Sequence, residues 1–341
     1  MQRVKWGENW LAYDTKLVHR PRIKFDSLQT DPIENVQLNY IATTGAKLKI
    51  DWGNGIVDDM ICDGTSRSVY SAYVTVDTLY DIEIYGDIDS ITQWWIISNT
   101  TLLNIEELQW CVNMSNFRTS NSTWPSYNGS IDKLAHLPLT NLYLWSSAGS
   151  GPGARGDGIS GSLNHFSGLT IITSRSNPGI RANVDYWPEM LSLHLIDNTI
   201  GDFSSMPKLT TIASIRGAAR VTGDITLLPD LWYINFANVY GVPNWTFPTT
   251  FIDMPQVSYI YTLTTSIYGP PFTSTQVNQY LADFWANRDE PKPFSSTRYL
   301  DFQGNTDTGA PTGQGITDAT NLAAYKSPDD TGPVVWTVLT R

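Results

Sequence analysis

The alternation of apolar and polar residues changes character twice along the chain. Residues 1–35 hold no clear period, and Pro21 and Pro32 interrupt a mixture of charges. From Val36 the runs "VQLNYIATTGAKLKIDWGNG" and "SVYSAYVTVDTLYDIEIYGDI" alternate with a period of two and break at Gly, Asp and Ser. Such alternation between turn residues marks short, half-buried strands. It predicts a small antiparallel β-sandwich over residues 36–86, preceded by an arm over 1–35.

Past residue 86 the pattern repeats. Nine segments keep the apolar frame L-x-x-L-x-L-x-x-N, the strand signature of leucine-rich repeats, some with the Asn and some without. "MLSLHLIDN" from Met190, "LTIITSRSN" from Leu169, "ITQWWIISN" from Ile91 and "IEELQWCVN" from Ile105 show it most fully. Four strands are preceded by a Gly turn with an apolar residue and a polar pair, at Gly129, Gly161, Gly201 and Gly223. The expectation is an irregular solenoid over 87–270, each turn burying its apolar residues against its neighbours.

The last segment, 271–341, predicts an α/β cap. In "FTSTQVNQYLADFWANRD", Thr273 stands three residues before Gln276, a capping box, and Val277, Tyr280, Leu281 and Phe284 follow at helical spacing. A strand at Tyr299–Phe302, a short helix in "ATNLAAY" and a strand in "VVWTVLT" complete it. The fold class expected is therefore mainly β.

Composition narrows the function. The 341 residues carry a formal net charge of −11 and only 16% charged residues. An acidic chain with a neutral-polar surface argues against a partner that presents phosphates, so no nucleic acid is expected. No apolar run is long enough to span a bilayer, and the start lacks the apolar stretch of a secretory signal. No membrane insertion is expected, and assembly in a cytoplasm is. Cys62 and Cys111 read as free, buried thiols.

The stretch Asp51-Trp52-Gly53-Asn54-Gly55 offers oxygens with Asp58 and Asp59, but lacks the loop and closing Glu of a calcium hand. It reads as a structural turn with glycines at positive φ. His136, His165 and His194 recur every 29 residues but fall at different phases of the repeat, so no metal is assigned to them. Arg155-Gly156-Asp157 reads as a projecting loop tip. No nucleophile elbow, zinc-protease or phosphate-loop motif occurs, so the chain reads as a non-enzyme without cofactor. A carboxylate pair assembled across repeats, as in a polysaccharide-degrading enzyme, is the alternative.

The outward residues of the repeat strands carry the candidate ligand site: Asn141, Tyr143, Trp145, Arg175, His194, Tyr233, Asn235, Tyr259, Tyr261, Tyr299 and Asp301. Six of these are Tyr or Trp, grouped at the two ends of the array. Flat rings beside amides suit sugar rings, and equally a neighbouring subunit. The arm carries Trp6, Trp10, Tyr13, Lys16, Arg20, Arg22 and Lys24, basic and aromatic against an acidic remainder. It predicts attachment to other subunits, with a homo-oligomer as the assembly.

"IDWGNG" followed by "IEIYGDI" resembles the start of a polycystic-kidney-disease-type immunoglobulin-like domain. The Gly turns, the repeat strands and a tail "STQVNQYLADF…LDFQGN…APT…WTV" together resemble leucine-rich-repeat surface proteins of tailed phages that infect Bacteroidetes-type bacteria. The resemblance covers residues 36–341, with Asn54 where the turn motif usually has Asp. It implies a tail or head fibre, spike or decoration on the virion surface. Other virion proteins and a host-surface glycan or protein would be its partners. A bacterial cell-surface adhesin is the remaining alternative.

Overall fold

The computed structural model describes residues 2–6, 9–13, 21–29, 37–70, 78–96, 101–119, 126–145, 158–175, 179–194, 198–213, 221–235, 248–261, 272–289, 297–302, 309–325 and 335–340. The protein is mainly β, with two α-helices among these residues. It divides into two compact units, Met1–Pro138 with Ser147–Ile159, and Leu139–Ser146 with Ser160–Arg341.

In the first unit, strand Thr78–Gly86 lies between Ile23–Gln29 and Lys47–Asp51, antiparallel to both, and Val57–Ile61 closes the edge. A second antiparallel group sets Gln37–Ala42 between Arg67–Tyr70 and Ile91–Ile96. Parallel pairing begins where these groups meet the following chain, Thr101–Asn104 with Ser126–Ser130 and Ile91–Ile96 with Asn116–Thr119. Buried Ile23, Phe25, Ile50, Trp52, Ile82 and Ile84 form part of the core. Cys62 and Cys111 are both free and buried, and burial pushes the Cys111 thiol up to about 12.

The arm differs from its expectation at both ends. Gln2–Trp6 and Asn9–Tyr13 form an antiparallel hairpin. Ile23–Gln29 is an interior strand, because Ile23, Phe25 and Ser27 alternate inward and are buried. Arg22 and Lys24, both exposed, meet Glu83 on the neighbouring strand.

The second unit alternates two parallel ladders. One contains Asn141–Trp145, Ile171–Arg175, Ser192–His194, Thr211–Ala213, Tyr233–Asn235, Tyr259–Tyr261, Thr297–Asp301 and Val335–Leu339 in order. The other contains the end of Gly158–Ser162, from Ser160, with Ile180–Asn183, Thr199–Asp202 and Val221–Thr222. Between them the chain turns through short 3-10 segments whose buried residues recur every third position. Val184, Trp187, Met190 and Leu193 form one such series, and Phe203, Met206, Leu209 and Ile212 the next. Backbone bonds such as Trp187 N–H to Val184 O at 3.0 Å and Met190 N–H to Trp187 O at 3.1 Å impose that period. Each fully buried side chain of this size contributes about 1.5–3 kcal/mol.

The Gly turns have a specific cause. Gly201 and Gly223 sit at φ +111° and +113°, and a Cβ there would run into the side chains of Asn183 and Asp202 on the preceding turn. Those side chains are occupied: Asn183 Oδ1 accepts from Asp185 N–H at 3.0 Å and Asp202 Oδ1 from Ser204 N–H at 2.8 Å, each capping its 3-10 turn. The residue two places on then reaches the next turn. Asn164 accepts from Asn183 N–H and Asp185 from Asp202 N–H, both at 2.9 Å. The first unit repeats the device, with Glu106 accepting from Ser130 N–H at 3.0 Å.

Helix α1 (Ser274–Ala286) begins with the capping box of Thr273 and Gln276 and buries Val277, Tyr280, Leu281 and Phe284. Asp283, also buried, accepts from Thr250 Oγ1, Phe251 N–H and Gln279 Nε2. Helix α2 (Gln314–Ala324) starts five residues earlier than "ATNLAAY". Asn278 of α1 fixes the preceding Thr312 through both its amide atoms, so the chain enters the helix sooner.

Candidate functional site

Parallel strands about 4.8 Å apart, paired without a slip, bring equivalent positions into columns. One column of the second unit runs Asn141, Ile171, Ser192, Thr211, Tyr233, Tyr259, Tyr299 and Thr337. The neighbouring column runs Tyr143, Thr173, His194, Ala213, Asn235, Tyr261, Asp301 and Leu339. The repeat strands therefore bring Tyr233, Asn235, Tyr259, Tyr261 and Tyr299 together into one cluster.

Its geometry is a stack. The rings of Tyr233 and Tyr259 are 4.3 Å apart and 15° from parallel, and those of Tyr259 and Tyr299 are 5.4 Å apart and 26° from parallel. Tyr261 leans against both, at 54° to Tyr259 and 60° to Tyr299. Asn235 Nδ2 donates to the Tyr233 hydroxyl at 2.9 Å. Burial raises the Tyr259 phenol above its ordinary value, and the neighbouring Tyr233 phenol adds to it. Burial also raises Tyr299, with the Asp301 charge behind it. The phenols of Tyr259 and Tyr299 are therefore neutral donors and acceptors at physiological pH.

Two features differ from the expectation of flat, exposed rings. The inner ring of the stack, Tyr259, spends its faces on its neighbours, because the strands are in register at a spacing close to that of offset-stacked rings. The half-buried cluster thus offers edges and hydroxyls, with Tyr261 set across them. Asp301 is not exposed but 2% accessible, between Tyr261 and Leu339 in its column.

The other candidates lie apart along the ladder. Asn141 and Tyr143 stand six strands from Tyr299 along the sheet, with Asn141 Oδ1 accepting from Thr170 Oγ1 at 3.2 Å. His194 is half-buried between Thr173 and Ala213. Trp145 and Arg175 are register partners, and their side chains lie outside the described residues. So do those of Trp6, Trp10 and Tyr13, which pair with Asn9, Lys5 and Gln2 in the hairpin. Lys16, Arg20 and the Arg155–Asp157 loop lie wholly outside the described residues.

The first unit contributes a pair outside the predicted ligand face. Arg118 lies over the Trp95 ring at 4.8 Å, and the two are register partners, as are Asn116 and Gln93. The signal was present, since "ITQWWIISN" carries the repeat frame.

The glycine-rich turn is built as a hairpin. Gly53 and Gly55 sit at φ +71° and +84°. Asp51 Oδ1 accepts from Gly53 N–H at 3.0 Å and Asn54 Oδ1 from Ile56 N–H at 2.9 Å. Trp52 is 1% exposed and its indole N–H donates to Asp58 at 2.7 Å. The side-chain oxygens of Asp51, Asn54 and Asp58 thus close the turn itself. No group of three or more metal-ligating side chains occurs among the described residues.

No helix among the described residues is long and apolar enough to cross a membrane. Comparison of the chain with models of protein families, with curated proteins and with solved structures found no match.

Proposed function

We propose that the chain is a non-enzymatic surface protein of a tailed-phage virion, a fibre, spike or decoration that adheres to a host-surface glycan or protein. In this reading residues 36–86 are an immunoglobulin-like β-sandwich, 87–270 an irregular leucine-rich-repeat solenoid, and 271–341 its cap. The alternating parallel ladders, the period-three turns and the amphipathic α1 favour the solenoid. The resemblance of the turn motif, repeats and tail supplies the phage.

The observation that carries the adhesive role is the register-aligned cluster of Tyr233, Asn235, Tyr259, Tyr261 and Tyr299. Phenol and amide groups held in a fixed row bind hydroxyl-rich ligands with little ordering cost. Mass analysis of purified virions tests the placement. Recovery of this chain in stoichiometric amount supports it. Its absence from virions, with the chain on bacterial surfaces instead, favours a cell-surface adhesin.

A further inference from the structure

Strand Val57–Ile61 ends its sheet. It pairs with Lys47–Asp51 on one side and, among the described residues, with no strand on the other. Val57 and Ile61 are 44% and 65% exposed. Edge strands are ordinarily guarded by lysines, prolines or bulges, because their free N–H and C=O groups invite another strand. Here the central residues are Asp58 and Asp59. Asp59 is neutralised by Lys49 at 2.6 Å, whereas Asp58, among the described residues, meets only the neutral indole of Trp52. The edge therefore keeps a negative charge at Asp58, on the face opposite the exposed Val57 and Ile61. An open groove of about 890 Å³ runs beside it, lined by Lys49, Asp59, Ile61, Glu83 and Tyr85 among others.

The hairpin Gln2–Trp6 and Asn9–Tyr13 is the complementary element. A two-stranded hairpin standing alone is marginal in water. Its first strand reads Gln-Arg-Val-Lys-Trp, with two cations, two apolar residues and no anion. We propose that this strand adds antiparallel to Val57–Ile61 of a second copy of the chain, the two copies exchanging hairpins. Placing Lys5 opposite Asp58 puts Trp6 at Val57, Val4 at Asp59, Arg3 at Met60 and Gln2 at Ile61. All five positions of each strand are then paired.

Two other occupants fit less well. Antiparallel pairing of Val57–Ile61 with its own copy, centred on the strand, would set one Asp59–Lys49 pair against the other and place Asp58 opposite Met60, with no cation to meet it. Docking within one chain is within reach. Residues 14–22 span up to about 30 Å, and three strand spacings separate Ile23–Gln29 from the edge by about 14 Å. Among the described residues of the single chain, however, the hairpin pairs only with itself. Reciprocal exchange closes a two-fold dimer and leaves no open end. The inference goes beyond the adhesive reading and stands independently of what the strand face binds.

Disulfide trapping between two full-length variants tests it. Chains carrying Val4→Cys and differently tagged chains carrying Asp59→Cys are mixed and mildly oxidised; the native thiols are buried and stay out of the reaction. The expected result is a mixed disulfide dimer at least tenfold above that formed with Ser66→Cys, an exposed control off the edge. Val57→Lys with Ile61→Lys should halve the sedimenting mass of the unmodified chain while leaving its circular dichroism spectrum and any glycan binding per chain unchanged. Trapping no better than the control overturns the proposal. So does an unchanged mass, or a Val4→Cys, Asp59→Cys double variant that closes within the monomer.

Discussion

Tyr259 lies flat on Tyr233, ring centres 4.3 Å apart and planes 15° from parallel, because the two residues are register partners on adjacent parallel strands. The raised Tyr259 phenol follows from that burial. A group whose folded pKa lies above its unfolded value stabilises the fold fully below the unfolded value, near 10 for a phenol, and loses that stabilisation as pH rises beyond it. Stability should therefore fall above about pH 10. Following tyrosinate absorbance, Tyr259→Phe should remove one late-titrating phenol. A single transition for all tyrosines at the ordinary value would contradict the stack.

Gly201→Ala should destabilise the second unit by about 1–3 kcal/mol, since the new Cβ meets both a positive φ and the Asn183 cap. Gly45→Ala, at φ +86° with open space around it, should cost less, about 1 kcal/mol. Urea unfolding of the two variants checks the difference. Equal losses would mean that backbone strain alone matters and the cap contact does not.

The carboxylate of Asp283 joins α1 to the Thr250–Phe251 segment. Asp283→Ala leaves the buried Phe251 N–H unpaired and should cost about 1–3 kcal/mol, read from the shift in denaturant midpoint. A loss below about 0.5 kcal/mol would show that water replaces the carboxylate.

Trp52→Phe removes the indole donor to Asp58 and should cost about 1 kcal/mol. If the turn is structural, millimolar calcium leaves the melting temperature of the wild-type chain unchanged. A calcium-dependent rise that disappears in Asp51→Asn would instead make the turn a cation site.

The parts of this fold that were legible in the sequence are local ones. The capping box of Thr273 and Gln276 and the face of Val277, Tyr280, Leu281 and Phe284 lie within one helix, so spacing alone reveals them. Gly53, Gly129, Gly161, Gly201 and Gly223 all sit at positive φ, a demand that few other residues meet. The links between turns were not legible. Asn164 reaches Asn183, Asp185 reaches Asp202 and Glu106 reaches Ser130 across 19, 17 and 24 residues, so no fixed period marks them. Strand Ile23–Gln29 was hidden because its three inward residues include Ser27 and its flanks carry charge and proline. At the site, alternation placed Tyr233, Tyr259 and Tyr299 on the outward face, but not in one column with stacked rings, which in-register pairing produces.

Binding to host cells and to the polysaccharide purified from them tests the adhesive account most directly. The account predicts saturable binding of the wild-type chain and no shortening of the polysaccharide. It also predicts that Tyr261→Ala with Tyr259→Ala weakens binding by at least tenfold, about 1.4 kcal/mol, without loss of the fold. Binding that is absent, or equal in the double variant, would contradict the role of the strand face. Shortened polysaccharide chains would make the protein an enzyme.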